Sequence, residues 1–336
     1  MILKNVAIVG SSGAVGKELL KLLETRNFPI SSIKLLSSER SAGKKLPFKD
    51  KFITIEKLDD NSFKDIDISF FSAGSKISKE FAPIAVSNNS LVIDNSSAFR
   101  MNSIVPLVVP EINAKYAFNH NGIIANPNCS TIIMNLAIAS LHKKFGINRI
   151  TCSTYQAASG AGMAAMHELE EQCINWVNKK PLPMDIFGKQ YIWNLFSHDS
   201  PIDIQTGYNE EELKMIYETR KIFNDNINVS ATCVRVPVLR THCISINTTL
   251  SKPFDNINTV RDLIGNSKGI ELLDDRENNQ HPEPLLASNI DNCLVGRIRQ
   301  DKSQEKGYGV ELFVAGDQIR KGAALNAIQI AELFID

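Results

Sequence analysis

The chain has 336 residues, enough for about two domains of roughly 150 residues each. At 43% apolar and 22% charged it is globular in composition and too apolar to be disordered. Lys and Arg number 37 and so do Asp and Glu, so the net charge is zero and the chain lacks the positive excess of a general nucleic-acid or anionic-membrane binder. No apolar run approaches the ~20 residues that span a bilayer. Met1-Ile2-Leu3-Lys4-Asn5 leads straight into strand-like residues without the layout of a secretory signal, so a cytoplasmic protein is expected. Cysteines 129, 152, 173, 233, 243 and 293 show no CxxC spacing, which speaks against a disulfide framework or a zinc site.

Val6 to Val9 is a short apolar run that stops at Gly10-Ser11-Ser12-Gly13-Ala14-Val15-Gly16, after which Leu19, Leu20, Leu22 and Leu23 recur at helical spacing. Strand, glycine turn and helix in that order open a βαβ unit. Ile33 to Leu36 reads as a second strand, followed by a polar cluster from Ser37 to Lys44. Ile66 to Phe71, Leu91 to Ile93 and Val105 to Val109 are further strand-like runs, and their alternation with helical stretches predicts a mostly parallel sheet. Near residue 130 the pattern changes. Thr131 to Leu141 and Met163 to Val177 read as helices, Ile150 to Gln156 as a strand, and 179–183 and 199–207 as loops. Val229 to Val238 and Cys243 to Leu250 are β-branched runs expected to pair as antiparallel neighbours, and Ala323 to Phe334 is a final amphipathic helix.

Gly10, Gly13 and Gly16 are spaced GxxGxxG. Such a turn lets a pyrophosphate approach the backbone and the N–H groups that open the helix, although a plain glycine-rich βα turn has the same spacing. At the end of the second strand an acid suits the ribose 2′-hydroxyl of NAD, and an Arg suits a 2′-phosphate. Arg40 with Ser38 and Ser41 favours NADP, while Glu39 can face solvent or the ribose.

Asn126-Pro127-Asn128-Cys129-Ser130-Thr131 directly precedes an apolar helix. A thiol at a helix N-terminus has its thiolate stabilised by the dipole and free N–H groups, which also suit an oxyanion, so Cys129 is the expected nucleophile. The other cysteines at 152, 173, 233 and 293 are expected to be buried and structural. His242, in Arg235-Val236-Pro237-Val238-Leu239-Arg240-Thr241-His242, is the expected acid/base. His120 and His142 are expected at the surface, His198 and His281 in polar loops, and His167 in a solvated pair with Glu171. No HExxH is present, so no metal is expected.

Eight blocks in order carry a resemblance over the whole chain: GSSGAVG (10–16), SERSAGK (38–44), DNSSAFR (94–100), PNCST (127–131), QAASGAG (156–162), EELK (211–214), RVPVLRTH (235–242) and DQIRKGAALN (317–326). Together they resemble the aspartate-β-semialdehyde dehydrogenase family, with Ser11-Ser12 where that family often has Ala-Thr. The resemblance implies an α/β fold with an N-terminal Rossmann-type dinucleotide-binding domain and an α+β catalytic and dimerisation domain. The boundaries would be 1–129 for the NADP-binding domain, joined by the C-terminal helix 322–336, and 130–321 for the second. It implies NADP(H) held by Gly10, Ser12, Gly13, Ala14, Val15, Gly16, Ser38, Arg40 and Ser41, with Ser159, Gly160 and Gln318 against the nicotinamide. Cys129 would form the acyl-enzyme, His242 would act as acid/base and Gln156 would orient the substrate.

Arg235 would clamp the substrate carboxylate, Glu211 would meet its ammonium, and Arg100 and Lys214, with Asn128, would hold the phosphate. The implied reaction is NADPH-dependent reduction of L-aspartyl-4-phosphate to L-aspartate-4-semialdehyde and inorganic phosphate, early in lysine, threonine, methionine and diaminopimelate biosynthesis. A homodimer or homotetramer is implied. An N-acetylglutamyl-phosphate reductase shares the cysteine–histidine logic but needs no anion for a free ammonium, so Glu211 favours the aspartyl substrate. A non-catalytic dinucleotide sensor has no use for Cys129 and His242. Arg40 and the family blocks weigh against a glyceraldehyde-phosphate-type enzyme.

Overall fold

A computed structural model describes residues 2–335. Its contacts divide into two compact units, one running to Asn128 with Lys221–Phe223 and everything from Ala323, the other Cys129–Arg220 with Asn224–Gly322.

In the first unit β1 (Lys4–Val9) enters α1 (Ala14–Thr25) through the glycine turn, and β2 (Ile30–Ser37) follows. A hairpin of β3 (Lys45–Phe48) and β4 (Lys51–Lys57), then β5 (Ile68–Phe71), α2 (Ser75–Ser87), β6 (Leu91–Asp94), the short α3 (Pro110–Asn113) and β7 (Ile123–Ala125) complete it. The sheet order is β3-β4-β2-β1-β5-β6-β7, parallel throughout except for β3. Chain order reverses at β1, so the crevice at its C-terminal end, where the glycine turn sits, is the switch point at which such sheets bind ligands. Val6 to Val9 are fully buried, as a strand covered on both faces must be.

Two differences from the sequence expectation have physical causes. Val105 to Val109 is not a strand. Pro106 within it and Pro110 just after it lack N–H groups, it makes only an isolated bridge from Leu107 to Ala125, and β7 is the edge strand instead. The β3–β4 hairpin lies beyond the polar cluster at 37–44, in a stretch the sequence reading left unassigned; Leu46, Phe48, Ile53 and Ile55 recur there at period two.

The C-terminal helix (Leu325–Glu332) belongs to this first unit, preceded by a wider π-type turn at Arg320–Ala324. Leu325, Ile328 and Ala331 share one core with Val6, Ile8, Leu19 and Leu23. The Asn326 amide donates to Val108 O (2.9 Å) and Asn126 Oδ1 (2.6 Å), and Arg26 pairs with Glu332 at 2.8 Å.

The second unit contains α4 (Cys129–Phe145), β8 (Ile147–Gln156), α5 (Met163–Val177), β9 (Phe196–Ser197), all but the last three residues of α6 (Glu210–Phe223), β10 (Asn228–Arg235) and β11 (His242–Leu250). It ends with α7 (Ile257–Gly265), β12 (Ile270–Leu272), α8 (Pro284–Ala287), β13 (Cys293–Gln300) and β14 (Gly309–Gly316). The sheet runs β12-β13-β14-β11-β8-β10-β9. The expected antiparallel pairing of the runs at 229–238 and 243–250 does not occur, because β8 lies between them, parallel to β10 and antiparallel to β11. Pairing Gln156 with Arg235 and Tyr155 with Cys243, β8 gathers Gln156, Arg235 and His242 at one end of the sheet.

Ile328 is fully buried in the first unit's core. Ile328→Ala should therefore destabilise that unit by about 2–5 kcal/mol, read as a lower urea midpoint at unchanged slope.

Candidate active site

Two structural features stand where the sequence placed the chemistry. In the first unit a cavity of about 470 Å³ is lined by Gly10, Ser12 and Gly13 of the glycine turn and by Ser37, Ser38, Glu39 and Lys57, with Ser12 and Ser37 hydrogen-bonded at 2.9 Å. Gly10 has φ +85°, and a Cβ there would lie 2.7 Å from Ser72 O; one at Gly16 would run into the Gly10 carbonyl. The fold itself requires those two glycines. Gly13 differs: a Cβ there would meet only Gly10 O, at 3.4 Å, so the room it leaves is open for a ligand. The N-terminus of α1 has no side-chain cap and no acid in its first turn. Its N–H groups therefore fit a pyrophosphate. Of the expected cofactor residues Ser38 lines the cavity, whereas exposed Arg40 and buried Ser41, in the 3-10 turn Glu39–Ser41, do not.

The second unit holds the reactive set. Cys129 is the first residue of α4, half-buried, and a Cβ on Gly322 would come within 2.8 Å of its Cβ. Only a glycine lets the Arg320–Ala324 turn pass so close to the thiol. Gln156 Nε2 donates to Ser130 Oγ (2.8 Å) and Glu211 Oε1 (3.3 Å), and Glu211 Oε2 pairs with Lys214 at 3.4 Å. These contacts join the residue beside the thiol to a carboxylate and an ammonium in one cluster. Gln318 accepts from the Thr241 N–H (2.8 Å) and donates to Ser159 Oγ, so two residues expected at the nicotinamide are bonded to each other.

His242 is fully buried. The Ala157 N–H donates to its Nδ1 (3.0 Å), so the neutral ring carries its proton on Nε2, which has no hydrogen-bond partner among the described residues. Burial, then the Arg235 charge, lowers its pKa to about 3. Thr241, immediately before it, takes φ +81°, a backbone conformation that β-branched residues rarely adopt. Burial pushes Cys243 up to about 12, among Ala287, Leu294 and Ala315, so the thiol next to His242 is inert.

Arg235 is buried, with Nε on Asp199 Oδ1 (2.8 Å), Nη1 on Ala157 O (3.2 Å) and its plane over Phe187 at 5.6 Å. A Cβ at Gly160 would lie 2.9 Å from Arg235 Nη1 and 3.1 Å from His242 Nε2, so guanidinium and imidazole border the same point. Arg100 and Asn128 lie in the first unit. The Arg100 guanidinium donates to Asn126 O (2.9 Å) and Asn95 O (2.8 Å).

Sequence reading missed Asp199, His198 and Ser130. Asp199 and His198 sit in a stretch read as loop, and no local pattern marks them. His198 lies in that loop, as expected, but is half-buried, and burial, then Arg235, lowers its pKa to about 4. Other expectations are corrected. Cys173 is exposed rather than buried, because its face of α5 turns away from the core. His167 pairs with Glu170, at 3.2 Å, rather than Glu171. His120 is half-buried, edge-on to Phe334, and its pKa is lowered by burial. Among the described residues no His, Cys, Asp or Glu cluster could hold a metal, and no helix is long and apolar enough to cross a membrane.

Gly322→Ala should push the thiol out of place and lower kcat at least about tenfold, a loss of ~1.4 kcal/mol of transition-state stabilisation. Dinucleotide affinity measured by fluorescence titration should hold. The histidines set the acid response. Folded pKa values of about 3 and about 4 lie below the ordinary 6.5, so the native state binds fewer protons than the unfolded chain. That stability is present above pH 6.5 and is lost as pH falls from there towards 4 and 3. His242→Asn and His198→Asn should each flatten the fall of the urea midpoint across that window.

A parallel-sheet dinucleotide unit and a mixed-sheet unit that carries a cysteine at a helix N-terminus and a buried histidine define a dinucleotide-dependent oxidoreductase. Residues 5–120 match the family described as semialdehyde dehydrogenase, NAD binding domain, and residues 138–321 match semialdehyde dehydrogenase, dimerisation domain. The aspartate-semialdehyde dehydrogenase of Synechocystis sp. is 49% identical over 98% of this chain and 97% of that protein. The one from Prochlorococcus marinus is 47% identical over 98% of this chain and 95% of its own. Aspartate semialdehyde dehydrogenase II from Vibrio cholerae, solved complexed with ASA, superposes with a TM-score of 0.96 at 40% identity, covering 100% of this chain and 99% of that one. The chain belongs to the aspartate-semialdehyde dehydrogenase family.

Proposed function

We propose that the chain reduces L-aspartyl-4-phosphate to L-aspartate-4-semialdehyde and inorganic phosphate with NADPH, through a thioester on Cys129. The observation that carries this reading is the Gln156 amide, bonded both to Ser130 beside the thiol and to Glu211, an anion suited to a free substrate ammonium. An N-acylated amine would leave Glu211 without that partner. The ASA complex of the Vibrio relative agrees with the aspartyl substrate.

A carboxylate resists hydride, so the substrate arrives as an acyl phosphate. The Cys129 thiolate, stabilised at the α4 N-terminus, attacks the acyl carbon; the C–S bond forms as the C–O bond to phosphate breaks. Arg100, Lys214 and Asn128 hold the leaving phosphate, and Arg235 clamps the α-carboxylate. Bound NADPH supplies the hydride, with Ser159, Gly160 and Gln318 as its neighbours. His242 offers its Nε2–H to the oxyanion of each tetrahedral species, and collapse of the second returns the thiolate and frees the aldehyde. Gln156 holds the acyl group in line. This chemistry belongs early in lysine, threonine, methionine and diaminopimelate biosynthesis. The free cysteines suit a reducing cytoplasm. Exposed Ile174, Trp176, Val177, Trp193 and Ile204 in the unit that matches a dimerisation domain suit contact with a second copy, as a homodimer or within a homotetramer.

Cys129→Ala should abolish turnover while NADPH binding persists. Mass spectrometry of the wild-type enzyme acylated by aspartyl phosphate without NADPH should place the adduct on Cys129. An adduct on Cys243, or turnover by the alanine variant, overturns the mechanism.

A further inference from the structure

Arg235 already has an anionic partner in Asp199, although its task in the reaction is to bind a second anion. We propose that Asp199 is a positioning residue for substrate recognition: it holds Arg235 by Nε and leaves the Nη end of the fork to the substrate's α-carboxylate. The proposal deepens the reading of Arg235 as the carboxylate clamp and rests on it.

Asp199 Oδ1 accepts from Arg235 Nε at 2.8 Å, and Ala157 O accepts from Nη1 at 3.2 Å. The Phe187 ring, 5.6 Å away, sets the plane of the guanidinium. The two hydrogen bonds set its rotation within that plane, and Asp199 makes the shorter one. A guanidinium has five N–H donors, so both hydrogens of Nη2 and one of Nη1 remain. Among the described residues none of these has a hydrogen-bond partner. The point beside Gly160 that lies 2.9 Å from Nη1 is 3.1 Å from His242 Nε2, so the Nη end borders the imidazole.

The charges give the pair a second consequence. Burial works against the Asp199 carboxylate, but the Arg235 charge and hydrogen bond outweigh it and hold the carboxyl below its usual range. His198 Nδ1 lies 3.9 Å from Asp199 Oδ1, yet a pKa of about 4 leaves that ring neutral at pH 7, so the anion serves Arg235. Gln156, the register partner of Arg235, donates to Glu211, which pairs with Lys214. Each cation in this cluster is thus matched by an anion, and a lone anion gains little by entering it. A zwitterionic α-centre gains more, with its carboxylate on the Nη end and its ammonium on Glu211. Fixing the fork in advance also removes the ordering cost from substrate binding.

The test is steady-state kinetics of the full chain in the aldehyde-oxidising direction, with phosphate and NADP. It compares L-aspartate-4-semialdehyde with 3-aminopropanal, the same aldehyde without its α-carboxylate. Asp199→Ala should raise the KM for the semialdehyde at least about tenfold and keep kcat within about threefold, while kcat/KM for 3-aminopropanal changes less than about threefold. Asp199→Asn keeps an acceptor oxygen for Nε and should recover most of the loss. Asp199→Glu keeps the charge but displaces the guanidinium, so it too should penalise only the semialdehyde. The Asp199 side chain is 39% exposed, which suits replacement, and the Glu variant carries the test if the Ala variant does not fold. An unchanged KM for the semialdehyde in these two variants overturns the proposal. So does an equal loss on both aldehydes, the mark of a merely structural role. If Arg235→Leu still prefers the semialdehyde as strongly as the wild type, the clamp reading itself falls, a separate result.

Discussion

The backbone of Ala157 makes the interactions on which the sheet end that carries Gln156, Arg235 and His242 depends. Its N–H fixes the His242 tautomer, and its carbonyl accepts from the Arg235 guanidinium. The two amides that flank Ala157, just beyond the end of β8, therefore set the donor atom of the imidazole and the position of the Arg235 guanidinium together. Because β8 is central, with β10 and β11 bonded along its two edges, Ala157 cannot shift without disturbing two ladders. Preorganisation of this kind lets a hydrogen-bond donor meet developing charge without reorganising during the reaction.

The surroundings hold that geometry at some local expense. Thr241 accepts a strained backbone next to His242, tied by Gln318 through its N–H and by Ser288 through its hydroxyl (2.8 Å). Buried Asp317 pairs with Arg240 at 2.7 Å and accepts the Ile319 and Arg320 N–H groups, shaping the turn that brings Gly322 to Cys129. Phe187, Tyr191 and Phe196 form an aromatic platform beneath Arg235. The site is thus supported by segments far apart in sequence, several of them irregular.

Much of the local structure around the candidate site was legible before any coordinates. The glycine turn follows a run of four apolar residues and opens a leucine-rich helix, a pattern that allows few other structures. Cys129 announces itself by polar neighbours ahead of an apolar helix. Less legible was everything set by sheet order. Val229 to Val238 and Cys243 to Leu250 look like hairpin partners, because a short connection favours that pairing, yet β8 separates them. Proline at 106 was the available sign that Val105 to Val109 is no strand.

What the sequence determined by itself were the local constraints: the βα turn, which needs missing Cβ atoms at Gly10 and Gly16, the thiol at a helix start, and the amphipathic C-terminal helix. Each is fixed by residues within about a dozen positions of one another, where propensity and periodicity act. Tertiary structure alone decided which strand lies beside which, and hence that Gln156, Arg235 and His242 meet, that the Ala157 backbone bonds two of them, that Glu39 faces Lys57 and that His198 is half-buried. Those outcomes depend on strand register and on burial between distant segments, and burial against a distant partner leaves no trace in the residues on either side of a position.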